Sequence, residues 1–269
     1  MNKNLLKSIL TLSLVGVLTL TLGACGKQKE ASSLDKIKKE GKLIVGTSAD
    51  YPPYEFHKSI DGKDTIVGFE IAIAKEIAKD LGVELEIKDM DFDGVLASVP
   101  TGKIDLGVAG INPDAERRKS MDFSDIYYKA AQSIIVREED KDKYSTIESL
   151  TGKKISVQKG TIQEDIAKEQ IKNGEIKSLG KVTDLILELK TGKADAILVE
   201  TPVAKAYVEK NPGIVISAAE VKDDSEGGSA IGIKKGNTEL ADAVNKTLER
   251  LNKENLVEKF IIEANELMD

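Results

Sequence analysis

An α/β fold built from two related units is what this sequence predicts, and three observations carry the prediction. From Lys42 onward, short β-rich runs alternate with amphipathic helical runs. One ending is written twice: "TGKIDLGVAGINPDAER" from Thr101 and "TGKADAILVETPVA" from Thr191 both pass from a Gly turn through Lys and Asp into a short apolar run. Two further apolar runs, in "SDIYYKAAQSIIVREED" and "KDDSEGGSAIGIKKG", have the character of strands crossing between the units. Periodicity alone fits one long sheet as well as two lobes. The crossing runs favour two lobes with a cleft between them.

The elements follow in order. Residues 1–24 form a separate object, with Lys3 and Lys7 at the start and an almost wholly apolar or hydroxylic run from Ile9 to Leu22. That run is short of the roughly 20 residues a membrane span needs and has the design of a secretory signal peptide. Cys25, the single cysteine, follows the small pair Gly23 and Ala24, and residues 25–40 are expected to be a polar tether. "KLIVGTS" is a strand, and "GFEIAIAKEIAKDLGV" is a helix that places Phe69, Ile73, Ile77 and Leu81 on one face and stops at Gly82. "ELEIKDM" is a strand, "DFDGVLASVPTGK" a short helix ending near Pro100, and "IDLGVAG" a buried strand. The pattern resumes with the strand "KKISVQKG" and the helix "TIQEDIAKEQI", where Thr161 and Glu164 have capping-box spacing. "TDLILELKTGK" is a helix and "ADAILVE" a strand. Thr201 and Pro202 are expected as cap and first position of the next helix. "TELADAVNKTLERLNKE" and "LVEKFIIEANELMD" are amphipathic helices. Tyr54 and Phe56 are expected in the core, and His57 in the hydrophilic loop "HKSIDGKD".

Composition and motifs exclude several classes. The formal charge of −7 over 269 residues opposes a nucleic-acid partner, and losing Lys3 and Lys7 with the signal would make the chain two units more negative. No nucleophile motif, metal cluster or phosphate loop is present, so neither a metal nor a cofactor is expected. The repeated ending does carry chemistry. In open parallel sheets, ligands bind beyond the carboxyl ends of the strands. Ala109, Gly110 and Asn112 fall at such an end in the first unit, with Arg117 just beyond, and Glu200 falls at the equivalent end in the second. An Arg fork suits a carboxylate and a Glu suits an ammonium. Facing each other across a cleft, the two would clamp a free α-amino acid. The backbone N–H groups of Thr161 and Ile162, at a helix start, can also meet a carboxylate. Tyr51 and Phe92, again at strand ends, offer aromatic faces for the ligand's side chain.

With these residues in view, "LGAC" resembles a bacterial lipobox, whose cysteine, here Cys25, is lipid-modified and becomes the mature N-terminus. "SADYPPYEF", "VGFEIAIAKEIAKDLG", "MDFDGVL", "TGKIDLGVAGI", "ERRKSMDFSDIYY", "QKGTIQEDIA" and "ETPVA" appear in that order and together resemble the family 3 extracellular solute-binding proteins, the receptors of polar amino acid ABC transporters. The resemblance implies a two-lobed periplasmic-binding-protein fold of type II. Lobe 1 would hold residues 41–126 and 229–269, lobe 2 residues 132–223, with hinge crossings at 127–131 and 224–228. It implies a monomer anchored to the membrane by lipid, outside the cytoplasm, that passes a free polar amino acid to an ABC permease and its ATPase. By position, the ligand's carboxylate would meet Arg117, Asn112, Thr161 and Ile162, and its ammonium Glu200 and Gly110. The side-chain pocket would be Ser48, Tyr51, Phe92, Ala109, Gln158 and Gln163. Where some members have an Asp after the first strand this chain has Ser48, so an acid near the ligand's distal end is expected to be missing. Aromatic faces with neutral polar groups suit arginine, glutamine or histidine, which favours a basic or amide side chain. Two other classes compete. Dehydratases of the cyclohexadienyl or arogenate kind share the fold and would use Glu200 as acid or base. A surface adhesin or a sensor would need a partner.

Overall fold

The computed structural model describes residues 32–223 and 227–268. Residues 1–24, expected as a signal peptide, Cys25, and part of the expected second hinge crossing, 224–226, lie outside the described residues. The first described element departs from expectation. Ser33–Glu40, expected as tether, is a helix, α1. Ser32 caps it by accepting from the Asp35 N–H, Ile37 is buried on the lobe behind it, and Gly41 ends it in the left-handed region. One apolar residue per turn was too weak a pattern to announce the helix, yet Ile37 ties it down.

β1 (Lys42–Thr47) then starts the first sheet. β2 (Asp50–Tyr51), β3 (Glu55–Ile60) and β4 (Lys63–Val67) form a small antiparallel sheet. The hydrophilic loop expected around His57 is therefore a hairpin. Asp61 and Gly62, both at positive φ (52° and 75°), make its two-residue turn. Its strands are polar because most of the hairpin faces solvent; even Phe56, expected in the core, is only half-buried, whereas Tyr54 is fully buried.

α2 (Phe69–Leu81) buries Phe69, Ile73 and Ile77 completely, each contributing about 1.5–3 kcal/mol. It begins where a side chain could not fit. Gly68 has φ 131°, and a Cβ there would lie 2.1 Å from the Tyr54 carbonyl oxygen. That close approach lets the Glu70 N–H donate to the same oxygen at 3.1 Å, setting Glu70 against the start of β3.

β5 (Glu84–Asp89), α3 (Phe92–Thr101), β6 (Leu106–Gly107), α4 (Arg117–Ser120) and β7 (Met121–Phe123) follow. The first sheet has the order β5-β1-β6-β13-β7, with β13 (Gly232–Lys234) returning from the far end of the sequence. β8 (Gln132–Arg137), β9 (Lys154–Gln158), α5 (Ile162–Gln170), β10 (Glu175–Leu179), α6 (Val182–Lys190), β11 (Ala196–Glu200), α7 (Thr201–Lys210) and β12 (Ile214–Ile216) make the second lobe, with sheet order β10-β9-β11-β8-β12. The two sheets are copies. Each has a central parallel trio, β5-β1-β6 and β10-β9-β11, flanked by one antiparallel strand that arrives after a crossing, β13 or β8. Tyr128 and Ser229 pair across the two connections. The fold is thus the two-lobed type II arrangement, closed by α8 (Thr238–Lys253) and α9 (Leu256–Glu266), which pack on α2.

Two helix starts differ from the sequence reading. Glu200, not Thr201, is the N-cap of α7, and Pro202 stands one position further in than expected. At α5, Glu164 reaches back to the Gly160 N–H at 2.9 Å, while the Thr161 hydroxyl turns to the Gln158 carbonyl at 2.7 Å, so the capping box is not formed.

Candidate functional site

All the parallel strands of both trios aim their carboxyl ends at the seam between the lobes. β1 delivers Ser48, β5 leads to Phe92, β6 leads to Ala109–Asn112, β9 leads to Gln158–Gln163, and β11 ends on Glu200. A small, nearly closed cavity of about 10 Å³ lies among them, lined by Ser48, Tyr51, Glu55, Phe92, Ala109, Gly110, Asn112, Gln158, Thr161 and Gln163. That volume is about what a single water needs, so the two walls stand packed almost shut on each other here.

The structure brings together most of the residues singled out from sequence, but not all in one layer. Nine of them line the cavity; Arg117, Ile162 and Glu200 do not. Arg117 stands one step back, its guanidinium 5.6 Å from the centre of the Phe92 ring. It donates to the Asn112 carbonyl at 2.7 Å and, across the seam, to the Gly160 carbonyl at 2.8 Å, while Nε lies 3.1 Å from Asp114. Burial lowers its affinity for the proton, but a guanidinium starts so high that it stays charged. With three of its N–H directions taken in this way, two remain. Ile162 opens α5 and lies in a separate groove beside Arg117.

Glu200 is buried behind Tyr51. It accepts a hydrogen bond from the Tyr54 hydroxyl, and its own N–H donates to the Tyr51 hydroxyl at 3.3 Å. Burial pushes its carboxyl up to about 8 against the opposing effect of the Tyr54 hydrogen bond. At neutral pH this carboxyl therefore holds a proton in the absence of a nearby cation. Tyr54 and Tyr51 belong to lobe 1 and Glu200 to lobe 2, so these bonds also cross the seam.

The polar lining is largely held in place by its own scaffold. The Asn112 side-chain amide donates to the Gly228 carbonyl at 3.1 Å, Gln158 to the Gly180 carbonyl at 3.1 Å, and Gln163 to the Gln132 side chain at 2.9 Å. Gly110, at φ 58°, points its N–H at both oxygens of Glu70 at 3.0 Å, which occupies the donor expected to face a ligand.

The residue that sequence reasoning missed is Glu55. Ser48 itself is no acid, but a buried one stands in the cavity wall seven positions later. Glu55 is fully buried, lines the cavity, and neither carboxylate oxygen meets a hydrogen-bond donor among the described residues. Its signal was present in "PPYEF", an acid directly after a core Tyr at the edge of the cleft; reading the segment as core and loop hid it.

The arrangement is a lidded, aromatic-walled cavity between two lobes, with fixed polar groups and one buried acid. It matches a known family. The model for bacterial extracellular solute-binding proteins, family 3, matches residues 43–262. The chain belongs to that family. As a family 3 solute-binding protein it is similar to the arginine-binding extracellular protein ArtP of Bacillus subtilis, 36% identical over 260 residues, which cover 95% of this chain and 96% of that one. Among solved structures it resembles the amino acid ABC transporter substrate-binding protein AbpA of Streptococcus pneumoniae bound to L-arginine. There the TM-score is 0.84 and the identity 42%, over 87% of this chain and 98% of that one. It also resembles an ancestral amino acid-binding protein, AncCDT-1, described as a precursor of cyclohexadienyl dehydratase, with TM-score 0.78 and 34% identity over 86% of this chain and 99% of that one. The family and the relatives named here are solute-binding proteins, and the dehydratase kind enters only through AncCDT-1, itself described as an amino acid-binding protein. Among the described residues, no helix is long and apolar enough to cross a membrane.

Proposed function

We propose that this family 3 protein is the receptor of an amino acid ABC importer and that its ligand is a free basic L-amino acid, arginine foremost. The observation that carries the choice is Glu55, a fully buried carboxylate in the cavity wall without a donor among the described residues. A buried acid needs a cationic partner or a proton, and a cationic side chain stacked between Tyr51 and Phe92 supplies the first. The two N–H directions left on Arg117, with Asn112 and the start of α5, would take the ligand's carboxylate. Glu200 would ionise as the ammonium arrives. The relatives named above, one described as arginine-binding and one bound to L-arginine, support the same assignment.

Capture is closure. Contacts that exist only when both walls touch the ligand shift the population towards the closed form, and that form would be read by a permease with its ATPase. Residues 1–24 are proposed to be removed, leaving a lipid-modified Cys25 that anchors a monomer to the outer face of the cell membrane, since acyl chains contribute about 0.8 kcal/mol per buried methylene. The test of the ligand is calorimetric titration with arginine, lysine, glutamine and histidine. Arginine is expected to bind tightest, and Glu55→Gln should weaken arginine by at least a hundredfold while changing glutamine by less than tenfold. Equal loss for both ligands would remove Glu55 from side-chain recognition.

A further inference from the structure

Four buried carboxylates lie within electrostatic reach of one another, Asp50 on β2, Glu55 on β3, Glu70 on α2 and Glu200 at the end of β11, and of these Glu55 lines the cavity. Their partners set them apart. Glu70 accepts from the Gly110 N–H at 3.0 Å and from the Tyr127 hydroxyl at 2.5 Å. Asp50 accepts from the Ser48 hydroxyl at 3.0 Å and from the Val182 N–H, and Glu200 accepts from Tyr54. Glu55 accepts from no N–H or O–H among the described residues, and its neighbour is Glu70. Two adjoining buried carboxylates do not both ionise at modest cost. Glu70 has the donors that favour a charge, so the proton belongs on Glu55, which can then donate to Glu70. Burial, then the charge of Glu70, then the hydrogen bond to it raise the Glu55 carboxyl well above the carboxylate range. The other ionisable groups turned towards Glu55 are Asp50, Glu200 and the phenols Tyr51 and Tyr127, none of them a cation.

We propose that Glu55 and Glu70 are a proton-exchange pair that selects the ligand's side chain: a cationic head takes Glu55 as its counter-ion and expels the proton to solvent, whereas a neutral head meets Glu55 still protonated. The inference rests on the proposal that a basic amino acid fills the cleft. It adds that specificity depends on pH. Below the point where Glu55 ionises in the ligand-free protein, each pH unit strengthens the binding of a cationic ligand up to about tenfold through this group. Glu200 also releases a proton when it meets the ligand's ammonium, but it does so for every α-amino acid, so a pair of ligands differing only in side-chain charge isolates Glu55.

Arginine and citrulline are such a pair. The experiment is calorimetric titration of the full chain in detergent, freed of carried-over ligand, with each of them at pH 7 in phosphate and in Tris. The dependence of heat on buffer counts the protons released. Arginine is expected to release about one proton more than citrulline, and its affinity to rise between pH 6 and 8. Should citrulline bind too weakly to titrate, the count for arginine on Glu70→Gln replaces it. That variant removes the neighbouring charge, so the release should fall and the pH dependence flatten. Arginine binding with the same count as citrulline, or with a count and pH dependence untouched by Glu70→Gln, would overturn the exchange while leaving the receptor assignment standing. No arginine binding at any pH would overturn both.

Discussion

In the proposed receptor Arg117 and Glu200 would divide the work of holding an amino acid head group, and each can be tested alone. Truncating Arg117 leaves a buried carboxylate unpaired at a cost of about 3–5 kcal/mol. Arg117→Ala should therefore lose roughly two to three and a half decades of affinity by titration, and a loss of only a few-fold would remove it from the clamp. For Glu200 the sign follows from its raised carboxyl, about 8 in the folded chain against 4.5 ordinarily. Between those values the folded form holds a proton that the unfolded form gives up, so stability falls as pH rises through that window. Glu200→Gln should melt close to wild type at pH 4.5 and above it at pH 9 in the absence of ligand, by up to a few kcal/mol, while losing ligand affinity. A variant melting below wild type at pH 9 would contradict the buried, protonated acid. Both residues stand out in the sequence because the repeat sets Arg117 beyond one strand end and Glu200 at the equivalent end of the second copy. Glu55 does not, since an isolated acid between a core Tyr and a half-exposed Phe has no period to give it away. Only the turn at Gly68 and the meeting with Glu70 reveal its burial.

At the scale of elements, the lobes are latched by a cap that one lends to the other. The N-cap position of α6 is Lys181, whose side chain makes no capping bond; Asp50 of lobe 1 accepts the Val182 N–H instead, and the Tyr207 hydroxyl donates back to the Asp50 carbonyl at 2.7 Å. A cap of this kind contributes about 1 kcal/mol. Because it exists only when the lobes meet, Asp50→Ala should weaken ligand binding roughly fivefold to tenfold through faster release in stopped-flow, although Asp50 does not line the cavity. Unchanged release would show that the cap forms in the open state too. No sequence pattern announces a cap 132 residues away. The regular elements were easier. α2, α8 and α9 declare themselves by long apolar stripes, whereas α1 has one buried anchor and the β3–β4 hairpin has polar faces, so both read as irregular until Ile37 and the Asp61–Gly62 turn are placed.

For the whole molecule, closure rests on buried contacts more than on the charges that decorate the seam. Lys159 pairs with Asp93 at 2.7 Å and Lys181 lies 3.6 Å from both Asp89 and Asp91, but these groups are partly or largely solvent-exposed. Exposed pairs of this type contribute about 0–1 kcal/mol and are screened by salt. Raising ionic strength from 0.05 to 0.5 M should therefore shift ligand affinity by less than about tenfold. A larger loss would mean that the seam charges hold the lobes shut. The two-lobed plan was legible because it is written twice; the closed packing of one copy on the other depends on residues distant in sequence and had no local signature. The most direct test of the central claim is thermal melting of the chain, freed of carried-over ligand, against the twenty amino acids one at a time. A ligand at 100 times its dissociation constant adds about 2.7 kcal/mol, or roughly 5–10 °C for a chain of this size. The largest shift is expected with arginine, and smaller ones with neutral polar amino acids. No shift with any amino acid, or shifts only with acidic or small apolar ones, would contradict it.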